Sequence, residues 1–172
     1  MPRLSSFSTT LLASITICLA TPCLADDPDD FRVMKNEALG ELKLDMPAAQ
    51  LKSLMAGGPA MGVKKLWEAD GRFHQTWKYA SLGVEIDMAS DDRKVAQYIA
   101  GITVRSPSAL GSRRGIHIGS RESDVVKAYK SDLNKEESQP GQSLVAGSLY
   151  GGIVFTIEKG TVATIFLGAA AE

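Results

Sequence analysis

"IHIGSRESDVVKAY" runs from Ile116 to Tyr129, and "LKLDMPAAQLKSLM", Leu42 to Met55, can be laid beside it residue for residue. In each, apolar residues alternate with polar ones at the spacing of a short strand: Leu42 and Leu44, then Ile116 and Ile118. Each run passes straight into a helical pattern. Ser120 is a natural N-cap, and Pro47 suits a first helical turn because the N–H it lacks has no partner there anyway. Leu51, Leu54 and Met55 follow at helical spacing, as do Val125, Val126 and Tyr129. "GGP" (Gly57–Pro59) stops the first helix, and the second is expected to end before "ESQPGQ" (Glu137–Gln142).

Alternating, strand-like segments come after each helix. After the first they are "HQTWKYA" (His74–Ala80), "GVEIDMA" (Gly83–Ala89) and "VAQYIAGITVR" (Val95–Arg105). After the second they are "SLVAGSLY" (Ser143–Tyr150), "GGIVFTIEKG" (Gly151–Gly160) and "TVATIFLGA" (Thr161–Ala169). Turns are expected at Asp91–Val95 and at Glu158–Val162. The pattern predicts an α+β fold of two tandem helix-plus-antiparallel-sheet repeats, residues 37–105 and 116–172, joined by a linker at 106–115. One such unit, at about seventy residues, is marginal alone. Two can merge their sheets, pool their cores and cover an edge of each. Helices then pack on one sheet face, and the other face stays open.

The first segment has the makings of an export leader. Arg3 supplies a positive start, Leu11–Ala20 a short apolar run, and "CLA" (Cys23–Ala25) the small residues that a signal peptidase needs. Cleavage is expected after Ala25. Pro22 disfavours lipid attachment at Cys23, and Ile17 disfavours it at Cys18. Both cysteines precede that cut, so the mature chain relies on packing rather than disulfides. These features predict a periplasmic or secreted protein. The acidic run "DDPDD" (Asp26–Asp30) begins an expected solvated tether over residues 26–36. With 19 Lys and Arg against 20 Asp and Glu, the charge balance leaves no footprint for nucleic acid. No other apolar run is long enough to span a bilayer.

The run "IHIGSRESDVVKAY", with its apolar strand, glycine, cap and acidic helix start, resembles the β-lactamase-inhibitor-protein-like group, which includes small outer-membrane-assembly lipoproteins. The strand pairs in "WKY…GVEIDM…KVAQYI" and "LYGGIVFTIEKGTVATIF" are similar to that group as well. The resemblance covers nearly the whole mature chain. It implies a tandem fold and a binding mode in which the sheet grips a partner. Inhibitors of that group carry disulfides within their repeats; this chain has no cysteine after Cys23.

Chemistry is harder to find. His74 and His117, the only histidines, have no second histidine or cysteine at ligand spacing, which argues against zinc. "GGPAMGVKK" (Gly57–Lys65) has the glycine spacing of a phosphate loop, but Val63 stands at the lysine position and the segment follows a helix rather than a strand. No G-x-S-x-G occurs, and the Asp91-Asp92 pair falls in an expected turn. No catalytic residue, metal ligand or cofactor is therefore assigned.

The aromatics point to binding instead. Trp77 and Tyr79 share the parity of the helix-packed face and are expected in the core. If Ile165 and Leu167 face the helices, Phe166 projects onto the open face, and Ile99 is taken as its counterpart. Lys78, Glu85 and Thr156 are expected beside them, among Thr76, Asp87 and Glu158. Apolar anchors among polar side chains characterise a protein-binding face. Trp67, Arg113 and Arg114 are expected on the rim loops. The reading is a non-enzymatic envelope protein that binds another protein, as inhibitor, toxin-immunity protein or assembly adaptor. A cell-wall hydrolase and a small-ligand carrier are the alternatives.

Overall fold

The computed structural model describes residues 31–170. The expected leader, its cleavage point, Cys18, Cys23 and the run Asp26–Asp30 lie outside the described residues. The elements in chain order are α1 (Arg32–Asn36), α2 (Ala48–Leu54), β1 (Ala60–Met61), β2 (Lys65–Leu66), β3 (Phe73–Tyr79), β4 (Val84–Ser90), β5 (Tyr98–Arg105), α3 (Glu122–Ala128), β6 (Leu133–Gln139), β7 (Ser143–Ser148), β8 (Gly151–Glu158) and β9 (Thr161–Gly168). All nine strands belong to one antiparallel sheet in the order β1-β3-β4-β5-β9-β8-β7-β6, with β2 also on β3.

This corrects the expected α+β class. The protein is mostly antiparallel β-sheet, 44% strand against 16% helix. The helical patterns deliver only short helices, seven residues each in α2 and α3. The stretch after α3 gives the reason. The helix is expected to run on until just before Glu137, yet Leu133–Gln139 pairs with β7 and forms the outermost strand. Tertiary pairing overrides a local propensity worth only tenths of a kcal/mol per residue. The strands expected at Leu42–Leu44 and Ile116–Ile118 are likewise absent. Only isolated bridges occur there, Leu39 to Leu42 and Gly111 to His117.

Side-chain rows explain the stability of the sheet. Trp77, Ile86, Ile102, Leu167, Ile153 and Ala146 lie opposite one another across six successive strands, and all are buried. Tyr79, Val84, Val104, Ile165, Phe155 and Leu144 form a second buried row beside it. Leu51 of α2, and Val125 and Tyr129 from α3 and its end, complete the same core, with the Tyr129 ring 5.0 Å from that of Phe155. Between the two rows, on the face away from the helices, runs a third: Lys78, Glu85, Thr103, Phe166, Val154 and Val145. Phe166 and Lys78 therefore do share the open face.

Ile99 does not. It is fully buried in the core. Asp87 faces Gly101 and Met88 faces Ile99, so Ala100 is an extra residue in β5. Such a bulge inverts the alternation beyond it and returns Ile99 to the helix side. The residue opposite Phe166 is Thr103. Strand β9 carries a matching bulge at Ala163, between the pairs Thr156–Thr164 and Ile157–Val162.

The expected tether is corrected as well. Its described part, from Phe31, forms α1 on the helix side of β7 and β8, with Val33 in the core. Gly151 makes the room: a Cβ there would lie 2.3 Å from Phe31 Cδ1.

Burial of Ile99 is checked by denaturant melts. Ile99→Ala is expected to cost about 2–5 kcal/mol, the range for truncating a buried aliphatic side chain, whereas Thr103→Ala on the open face stays within about 0.5 kcal/mol.

Candidate functional site

A cleft of about 660 Å³ opens where β5 begins and β9 ends. Its floor is Ala100 and Gly101, the bulge and its neighbour, which bring two small residues together in β5. A Cβ on Gly101 would lie 3.3 Å from Phe166 Cε2, so the Phe166 ring lies close over bare backbone. Trp67, Tyr98 and Tyr150 supply further aromatic walls, and Tyr150 is exposed. Lys43 and Asp45 come from the segment that precedes α2. That segment is fastened to β5: the Asp45 N–H donates to the Ile99 carbonyl, and the Ile99 N–H to Met46.

The most constrained group in the wall is His74, buried on β3. Its Nδ1 lies 2.7 Å from Asp87 Oδ2 on β4, and its Nε2 lies 2.9 Å from Asp70 Oδ2. The Trp67 ring stacks flat against the imidazole at 3.9 Å, with 5° between the planes. Trp67 and Asp70 belong to the tight turn between β2 and β3. The Trp67 N–H donates to the Arg72 carbonyl, and the Gly71 N–H to that of Trp67. Asp70 also accepts the Arg72 N–H at 2.9 Å. Desolvation pushes the Asp70 carboxyl up, but the Arg72 N–H and then His74, through hydrogen bond and charge, outweigh it and hold the carboxyl below its ordinary value. Burial pushes the Tyr98 phenol up, opposed by the Arg72 charge.

With both nitrogens engaged and one ring face covered, His74 is not presented to a substrate as a general base would be. His117 is exposed, and its Nδ1 lies 3.0 Å from the Ile118 carbonyl. Among the described residues no cluster of three or more His, Cys, Asp or Glu could hold a metal ion.

The other expected site residues are spread out. Lys78 and Glu85 pair with each other at 3.0 Å on the open face. Thr156 is exposed in β8, opposite Thr164. Trp67, half-buried on the turn before β3, covers His74 rather than standing free on the rim. Arg113 is exposed, while its backbone N–H donates to Glu37 Oε2 at 3.2 Å. Arg114 is tied into the structure. Its Nε donates to the buried carboxylate of Glu37 at 3.2 Å and its Nη1 to Asp132 Oδ2 at 2.7 Å, while its guanidinium lies 4.4 Å from the centre of the Tyr129 ring. Arg32 of α1 also reaches Asp132. Desolvation raises the Asp132 carboxyl, and the hydrogen bonds from Arg114 and Ser131 overcome this, leaving it below its ordinary value. Glu37, Arg114 and Asp132 thus lock the end of α1 to the turn after α3.

Sequence reasoning missed Asp70, Tyr98, Tyr150 and Asp45. One signal was available: Asp70 stands four residues before His74, and hairpin pairing of β3 with β4 brings Asp87 within reach. No family model matches the chain, and neither does any curated protein or solved structure.

Two measurements check these networks. A carboxyl whose folded pKa is lowered stabilises the fold above its unfolded pKa, and that stabilisation disappears as the pH falls through the folded value. The difference in midpoint between wild type and Asp70→Asn, followed by thermal melts, is therefore expected at neutral pH and closes in strong acid. Arg114→Ala leaves Glu37 and Asp132 without their shared cation. Its expected cost in denaturant melts is about 2–3 kcal/mol, below the range for a fully buried pair because the arginine is partly solvated.

Proposed function

We propose that this chain is an exported, non-catalytic binding protein that holds another envelope protein against the open face of its sheet, in the manner of an inhibitor or a toxin-immunity protein. The observation that carries this reading is the setting of Phe166. It lies half-buried on the solvent side of a continuous sheet, with Val154 and Thr103 beside it in its row. The exposed ring of Tyr150 lines the cleft that Phe166 also lines. An aromatic anchor with polar neighbours is the usual core of a protein interface. The engagement of both His74 nitrogens favours binding over hydrolysis. Export rests on the leader-like pattern of Met1–Ala25. Among the described residues no helix is long and apolar enough to cross a membrane.

The cleft favours one second reading, a small-ligand carrier. Its volume falls within the usual range for such sites, roughly 300–1,000 Å³.

Affinity capture from a periplasmic extract, with Phe166→Ala as the control, tests the proposal. A stoichiometric protein partner should be retained by the wild type. Truncating a true anchor costs about 2 kcal/mol or more, near thirtyfold in affinity, and here it should leave the thermal midpoint nearly unchanged. Equal capture by the variant would remove Phe166 from the interface. Loss of the fold would make it a core residue.

A further inference from the structure

One wall of the cleft rests against a single ring. The turn Trp67–Arg72 closes the β2–β3 hairpin and reaches Asp91 through Arg72, and its two contacts with His74 are the Trp67 stack and the pairing of Asp70 with Nε2. His74 passes the link on to Asp87 in β4, a strand held between β3 and β5. Other charged or titratable groups surround this chain. Arg72 reaches Asp91 at 3.2 Å from the same turn, and its charge acts on Tyr98 of β5, as does that of Asp45 from the segment before α2.

Hydrogen-bond arithmetic makes this link sensitive to protons. A neutral imidazole has one N–H and one lone pair, and an ionised carboxylate only accepts. Only the doubly protonated ring can donate to Asp70 and Asp87 together. With one proton fewer, one ring nitrogen turns a lone pair toward a carboxylate oxygen less than 3 Å away. The pairing that yields is the one with Asp70. Asp70 stands in an exposed turn, whereas Asp87 is fixed in an interior strand.

We propose that His74 is a proton-operated latch: doubly protonated, it ties the Trp67–Arg72 turn to Asp87 and closes the cleft wall, and on losing one proton it releases the turn. The low-lying Asp70 carboxyl keeps the latch engaged into acid, and the closed wall has a lower limit where Asp70 takes up a proton. The latch itself stands apart from the binding reading; a pH-dependent grip on a partner rests on that reading.

The test uses the whole protein, labelled with ¹⁵N, and follows its two indole N–H resonances between about pH 5 and about pH 8, where imidazoles commonly titrate. The Trp67 resonance is expected to shift with a single-proton profile, and Trp67 becomes more accessible to a soluble quencher at the upper end. Trp77, buried and donating to Gln75, stays in place as the internal reference. In His74→Gln the Trp67 titration disappears. In Asp70→Ala, which removes the acceptor from an exposed turn, Trp67 at low pH takes the position it has in the wild type at high pH. A Trp67 resonance that stays still across the range, or titrates unchanged in either variant, overturns the latch. Partner capture over the same range reports separately on the binding reading: capture without pH dependence, beside a Trp67 that titrates, sinks the cleft as the grip and leaves the latch standing.

Discussion

Everything else in this protein hangs on the pairing of β5 with β9. Four opposed pairs, from Ile102–Leu167 to Arg105–Thr164, join residues that are 59 to 65 positions apart in the chain. Without that seam each half would be a small sheet with an exposed edge, too little core to stand alone, and an invitation to aggregate. With it, the buried rows run unbroken from Trp77 to Ala146 and from Tyr79 to Leu144. The open-face row is continuous for the same reason. It changes character at the seam: the pair Lys78–Glu85 lies on one side, and Phe166, Val154 and Val145 on the other.

The bulges at Ala100 and Ala163 are the second constraint. A strand that alternates strictly cannot turn both Ile99 and Ile102 to the core. One inserted residue allows it, and the insertion leaves Ala100 and Gly101 as a shallow floor. The cleft is thus a consequence of core packing at the head of β5. The backbone is handled alike at both bulged strands. The Asp45 N–H donates to the Ile99 carbonyl beside one, and the Gly119 N–H donates to the Val162 carbonyl beside the other. Only the first has a tryptophan-bearing turn folded against it.

These particulars show what the sequence could and could not reveal. The long alternating runs were legible, because a half-buried strand writes its two faces into every second residue. Trp77, Tyr79 and Phe155 are buried as that pattern implies, and Phe166 lies on the other face. Local pattern failed where pairing decided the outcome. The residues Leu133–Gln139 carry the Lys, Glu and Gln of a helix surface, and became an edge strand because β7 offered its backbone. Ile99 was misplaced because a bulge leaves no mark in composition. Arg114 reads as a rim cation because nothing in the sequence shows that it pairs with the buried carboxylates of Glu37 and Asp132.

The two charge networks also differ in what they can do. Glu37, Arg114 and Asp132 combine two carboxylates with a guanidinium that cannot lose its proton in any ordinary medium, so that lock does not open from the side of its cation. Asp70, His74 and Asp87 have the same form, two carboxylates about one cationic centre, but the centre is an imidazole. One network secures α1 to the body of the protein; the other secures a turn to the mouth of a cleft. An arginine in place of His74 would keep its positive charge across the range in which an imidazole loses its own. A histidine there makes the fastening conditional, and it does so at the one wall of the cleft that a two-carboxylate clamp keeps in position.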